Sequence, residues 1–130
     1  QWLRARREGS AVPSLDGSRP TNVPARSLRL RLGHEVATLP GLATYATLAA
    51  ESDRTLLPGD ADLRVPGWAR IDLGVSYEQR LHSGARLLWR AGVDNAADRR
   101  AWQESPYQFG HVYLYPMAPR TWRVSLQADL

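Results

Sequence analysis

The sequence contains no cysteine, so it offers neither a disulfide framework nor a thiolate metal site. That absence is neutral about compartment, because many periplasm-exposed proteins also lack disulfides. No run of about 18 apolar residues occurs, which excludes a transmembrane helix; the longest uncharged stretch, Val36 to Ala50, is interrupted by Pro40-Gly41. A membrane β-strand stays allowed. It needs only about 9–11 alternating residues, a signal that averaging erases, so a mean hydropathy of −0.42 does not count against it. Lysine is also missing, and all 17 basic residues are Arg. This usage fits a GC-rich genome, and Arg in addition pairs bidentately with carboxylates. The net charge is +4, yet the arginines are spread through alternating segments and form no patch or recognition motif, so nucleic acid is not an expected partner.

Catalytic chemistry is equally thin. There is no Ser or Cys nucleophile motif, no Gly-rich phosphate loop and no Walker-type sequence. His34, His82 and His111 lie in different segments, which argues against a shared metal site. Asp94 and Asp98 stand four apart, and on a strand that spacing separates them by about 13 Å, too far for a glycosidase pair. Capping or pairing with Arg is the expected role of both. We therefore expect no enzyme, no resident cofactor and no metal.

A chain of 130 residues suffices for one domain with a modest core. Period-two alternation dominates it. Leu28, Leu30 and Leu32 oppose Arg29 and Arg31. Ile71, Leu73, Val75 and Tyr77 oppose Arg70, Asp72, Gly74, Ser76 and Glu78. Leu87, Trp89, Ala91 and Val93 oppose Arg86, Arg90, Gly92 and Asp94, and the chain closes with Trp122, Val124, Leu126, Ala128 and Leu130 against Arg123, Ser125, Gln127 and Asp129. On a helix such apolar sets would smear around the 3.6-residue period, so these are strands. Leu42 to Ala50 alternates poorly and its Ala content suits a helix by propensity, but its place between two strands makes it a strand as well. The opening stretch Gln1 to Arg6 alternates too and reads as a strand cut at a fragment boundary. About six antiparallel up-and-down strands are expected.

The connections alternate in length. Two are short, around Leu39-Pro40-Gly41 and His82-Ser83-Gly84; three are long, Gly9 to Ala25, Ser52 to Gly67 and Ala96 to Pro119. Strict alternation puts every short turn at one end of the sheet and every long loop at the other, the layout of outer-membrane barrels. The charge-rich face opposite the apolar stripes fits a water-filled lumen, and it also fits the solvent side of a soluble sheet. Patterning alone leaves both a transmembrane barrel and a soluble, small-ligand-binding β-barrel or sandwich open, with an adhesion-type β domain behind them.

Four segments carry a resemblance. Thr21-Asn22-Val23-Pro24-Ala25-Arg26-Ser27-Leu28 enters a strand from a long loop, Val65-Pro66-Gly67-Trp68-Ala69-Arg70-Ile71-Asp72-Leu73-Gly74 starts another, Val93-Asp94-Asn95-Ala96-Ala97-Asp98-Arg99-Arg100-Ala101-Trp102 leaves one, and Tyr115-Pro116-Met117-Ala118-Pro119-Arg120-Thr121-Trp122-Arg123-Val124-Ser125-Leu126 leads into the last. Jointly, in this order and spacing, they resemble the C-terminal barrel of TonB-dependent outer-membrane receptors, in particular ferric siderophore receptors. Ala96-Ala97 departs from the usual Leu-Phe, Ala101 from a common aromatic, and Leu130 from a terminal aromatic. The resemblance implies that residues 1–130 are the C-terminal part of a 22-stranded barrel in the outer membrane of a Gram-negative bacterium. Its plug domain and earlier strands would be absent from this sequence, and with the plug the contact to the TonB complex. The implied partners are a ferric siderophore and membrane lipid, and an isolated piece would tend to pair edge to edge.

The densest aromatic segment is the last long loop, with Trp102, Tyr107, Phe109, His111, Tyr113 and Tyr115. As part of an extracellular loop, Trp102, Tyr107, Phe109 and Tyr113 would stack on the flat faces of a ferric siderophore while Arg99 and Arg100 attract its negative charge. The competing reading is an interfacial girdle, in which Tyr and Trp sit at headgroup level without any ligand. Arg70, Asp72, Arg86, Arg90, Arg123 and Asp129 fall on the inferred lumen face, where cross-strand ion pairs are expected.

Overall fold

The computed structural model describes residues 1–129; Leu130 lies outside the described residues. The chain is all-β and its strands pair antiparallel. It forms two compact units, the first from Gln1–Leu28, Ala49–Ala69 and Arg100–Met117, the second from Arg29–Leu48, Arg70–Arg99 and the described part of Ala118–Leu130.

A five-stranded sheet in the order β1 (Ser27–Glu35), β2 (Leu42–Glu51), β5 (Trp68–Arg80), β6 (Arg86–Asp94) and β11 (Thr121–Asp129) supplies most of the second unit. Consecutive strands of the sheet are spatial neighbours, as an up-and-down meander requires. The register aligns the apolar sets into rows. Leu73, Val93 and Trp122 form one row, Val75, Ala91 and Val124 the next, and Tyr77, Trp89 and Leu126 a third. Leu30, Leu32, Ile71, Leu73, Trp89, Trp122 and Leu126 are exposed, and Val124 is 80% exposed. A soluble antiparallel sheet buries its apolar face. This one leaves that face open.

The opposite face carries Arg31, Tyr45, Gly74, Ser76, Arg90, Gly92, Arg123 and Asp129. Here a glycine leaves room for a ring: a Cβ on Gly74 would fall 2.1 Å from Tyr45 where it lies. Tyr45 therefore lies across the bare backbone of β5, and the Arg31 guanidinium sits 5.0 Å from its ring centroid, within cation–π range. β2 is a strand despite the helix propensity of its Ala residues. A concavity of about 630 Å³ beside this stack is lined by Arg31, His34, Glu35, Tyr45, Ser76 and Arg90, among others.

The first unit is built from three short hairpin ladders: β3 (Arg54–Leu57) with β4 (Asp60–Val65), β7 (Trp102–Glu104) with β10 (Tyr115–Pro116), and β8 (Tyr107–Gln108) with β9 (His111–Val112). Two of the long connections thus contain strands of their own. The core of this unit gathers Ala49, Trp68 and Met117, with Ala101 packed against it. Gly67 lets the chain pass close to the 51–53 backbone, since a Cβ there would meet the Glu51 carbonyl oxygen at 2.6 Å.

One expected strand is not formed. Gln1 to Arg6 makes a single β-bridge, Trp2 to Arg26, flanked by bonds from the Leu3 N–H to the Ala25 carbonyl and the Ser27 N–H to the Gln1 carbonyl, 2.9 and 3.0 Å. The pairing runs no further than this bridge, and the partner segment turns at Asn22, where φ is +59°.

Candidate functional site

The aromatic loop is built in two stages. Its stem is the β7/β10 pair, with Tyr115 opposite Glu104 and Pro116 opposite Trp102, extended by the Met117 N–H donating to the Ala101 carbonyl at 2.8 Å. Its outer part is the β8/β9 hairpin, with Tyr107 opposite Val112 and Gln108 opposite His111, and the Tyr113 N–H donating to the Pro106 carbonyl at 2.9 Å. Phe109 and Gly110 close the hairpin at φ +51° and +82°. Two positive φ values are what a two-residue hairpin turn demands; Gly takes one freely, whereas Phe holds the other at a cost. Phe109 is 91% exposed. The alternation of the hairpin puts Tyr107 on one face and Tyr113 on the other.

Five of the six candidate residues therefore belong to the first unit: Arg100, Trp102, Tyr107, Phe109 and Tyr113. Tyr107 is half-buried and the other four are exposed. They stand on the stem and the hairpin of the loop. Arg99 falls in the second unit, where its backbone is held by Asn95.

That asparagine is the hinge of the strand exit. Asn95 is 1% exposed and has φ +51°. Its amide nitrogen donates to the Arg99 and Ala118 carbonyls at 3.0 and 2.9 Å, its side-chain oxygen accepts the Arg99 N–H at 2.8 Å, and its own N–H donates to Asp72 at 2.8 Å. Every polar group of the residue is thereby satisfied, and Asn tolerates the left-handed region better than most residues. Asp98, at φ +49°, accepts the Arg120 N–H at 3.0 Å, and Asp94 pairs with Arg123 at 2.6 Å. Both aspartates thus cap or pair, although only Asp94 is on a strand.

The expected lumen-face charges pair in part across strands. Arg123–Asp94 and Arg86–Asp129, at 2.6 and 3.9 Å, join β6 to β11. Arg70 instead pairs along its own strand with Asp72 at 3.1 Å, and Arg90 donates to Gln127 at 3.3 Å. Residues i and i+2 share a face of a strand, which is how the Arg70–Asp72 pair escapes a cross-strand expectation.

Sequence reasoning missed the polar node of the first unit. Arg54 is 4% exposed; its guanidinium pairs with Glu51 and donates to the Gln103 carbonyl and, at 3.3 Å, to the Asn22 side-chain oxygen. The same oxygen accepts the Ser105 N–H at 2.7 Å and its hydroxyl at 3.3 Å. Ser105 is 0% exposed. Asn22 is itself fixed by its N–H, which donates to the Thr55 carbonyl at 3.1 Å. No local signal marks this node, because its partners are 32, 49 and 83 residues apart.

No protein-family model matches the chain, and no curated protein matches its sequence. Among solved structures, the crystal structure of BauA, the ferric preacinetobactin receptor from Acinetobacter baumannii, is similar to it with a TM-score of 0.80 at 23% sequence identity. The likeness covers 98% of this chain and 18% of that one. At that identity the shared property is the fold, and the chain spans 18% of the length of the receptor it resembles in structure.

Proposed function

We propose that this chain is part of the C-terminal barrel wall of a TonB-dependent outer-membrane receptor, and that the receptor takes up a ferric siderophore. The observation that carries the reading is the uncovered apolar face of the second unit. Across the three aligned rows of β5, β6 and β11, Leu73, Trp89, Trp122, Val124 and Leu126 stand exposed, opposite a face that carries the Arg70–Asp72, Arg86–Asp129 and Arg123–Asp94 ion pairs. Hydrocarbon outside and water inside is the environment that such a two-faced sheet matches. The structural likeness to a ferric preacinetobactin receptor supports the same reading, as do the one-sided long connections. In it, lipid covers the apolar rows and the TonB complex acts through a plug domain elsewhere in the receptor. The aromatic loop offers its rings to the flat face of the iron complex, with Arg100 drawing in negative charge. The role is binding and passage, without a catalytic step.

The test is to replace Tyr107 and Phe109 with Ala in the complete protein and titrate it with ferric tris-catecholate and ferric tris-hydroxamate complexes, following Trp fluorescence. Two lost aromatic contacts weaken the preferred complex by about tenfold or more. Unchanged affinity for both complexes would assign these rings to the membrane interface instead.

A further inference from the structure

We propose that Arg54 and Asn22 are positioning residues that hold the aromatic loop in its ligand-binding pose; the inference rests on the ligand-binding reading of that loop and deepens it.

β7 uses one edge for its ladder with β10. That ladder is irregular, Tyr115 pairing with Glu104 and Pro116 with Trp102, so Gln103 has no partner on β10, and the Gln103 carbonyl and the Ser105 N–H are bonded outside it. Left unpaired and buried, such groups cost about 1–3 kcal/mol each. No strand pairs there among the described residues. Two side chains replace it: Arg54 donates to the Gln103 carbonyl and Asn22 accepts the Ser105 N–H. The two side chains are bonded to each other at 3.3 Å, and Glu51 neutralises the buried guanidinium. Asn22 is aimed by its left-handed backbone and its bond to Thr55, and Thr55 follows Arg54 in β3. A planar fork that serves one carboxylate and one carbonyl at once is a task for Arg rather than Lys.

The consequence reaches the tip of the loop. Ser105 is followed by Pro106, whose carbonyl accepts the Tyr113 N–H, and then by Tyr107 and the β8/β9 hairpin. Fixing Gln103 and Ser105 therefore fixes where the hairpin leaves its stem. Arg54 is 4% exposed, and its hold on the loop runs through the Gln103 backbone.

The experiment uses the complete protein and three variants: Arg54→Met combined with Glu51→Gln, which leaves no buried charge; Asn22→Gly, which keeps the left-handed backbone and the Arg54 ion pair; and Tyr107→Ala as the contact control. Hydrogen exchange of peptides spanning 103–113 and of the β6 and β11 strands is measured alongside titration with the ferric tris-catecholate and tris-hydroxamate complexes. Both node variants are expected to exchange about tenfold faster in 103–113 with β6 and β11 unchanged, and to bind the preferred complex about tenfold more weakly. Should the Arg54 variant fail to fold, Asn22→Gly carries the same expectation. Unchanged exchange in 103–113 overturns the positioning role. Weakened binding in Tyr107→Ala with full affinity in the node variants also overturns it. Full affinity in all three variants removes the ligand-binding reading of the loop, and the inference with it.

Discussion

The two units treat their apolar and polar residues in opposite ways. In the first, Trp68 is enclosed with Ala49 and Met117, and Arg54, Thr55 and Ser105 are buried with their hydrogen bonds made inside the unit. In the second, the large apolar side chains face outward in rows, and Val93 is the one hydrophobic residue of the described sheet rows that is buried. The first unit carries its own interior. The second has ladders, ion pairs and a ring across a glycine, while its apolar surface needs a medium to cover it. Under the proposed barrel-wall reading, stability has an internal source in the first unit and a second source, the lipid over the apolar rows, in the other.

Substitutions in the two units separate these sources. The largest effect is expected for Trp68→Ala, which opens the small core of the first unit and costs about 3–5 kcal/mol in urea unfolding, in lipid vesicles and in detergent alike. Val124→Arg places a charge on the open face of the second unit. It costs about 2–4 kcal/mol when the protein is refolded into lipid bilayers, whereas on a face that meets water the change stays within about 0.5 kcal/mol. A cost of that smaller size in bilayers would break the comparison, since the apolar rows would then not be met by hydrocarbon. The smallest effect is that of Arg123→Gln, which removes the exposed cross-strand pair with Asp94; a loss below about 1 kcal/mol, shrinking further in 1 M salt, is expected from the same unfolding measurement.

Much of the second unit was legible in the residues. Alternation in 27–32, 71–77, 87–93 and 122–129 marks four strands of the sheet, and PG and SG signals mark its short turns. The strand over β2 was readable only from its neighbours, because its Ala and Thr residues alternate poorly, and the close seat of Tyr45 over Gly74 joins two strands 29 residues apart. The aromatic loop was legible as a composition but not as a shape. That Tyr107 and Tyr113 fall on opposite faces of the hairpin follows from a register set by Phe109-Gly110, and a bulky residue at positive φ is not a turn that sequence patterns announce. Asn95 stood in a motif as one polar residue among several; its bonds to Arg99 are local, but its bond to the Ala118 carbonyl appears only when β6 and the segment before β11 come together.

Period and turn residues alone mark an antiparallel β chain with an apolar and a charged stripe on four strands of its sheet and with long connections on one side. Those properties depend on period and on turn residues, which are local. Tertiary structure alone decided that Gln1 to Arg6 makes a bridge rather than a strand, that two of the long connections fold into hairpins, and that Arg54 and Asn22 stand in for a missing strand beside β7. Each of these turns on which distant backbone groups are left without a partner, and a chain satisfies such groups only after its loops have been brought together.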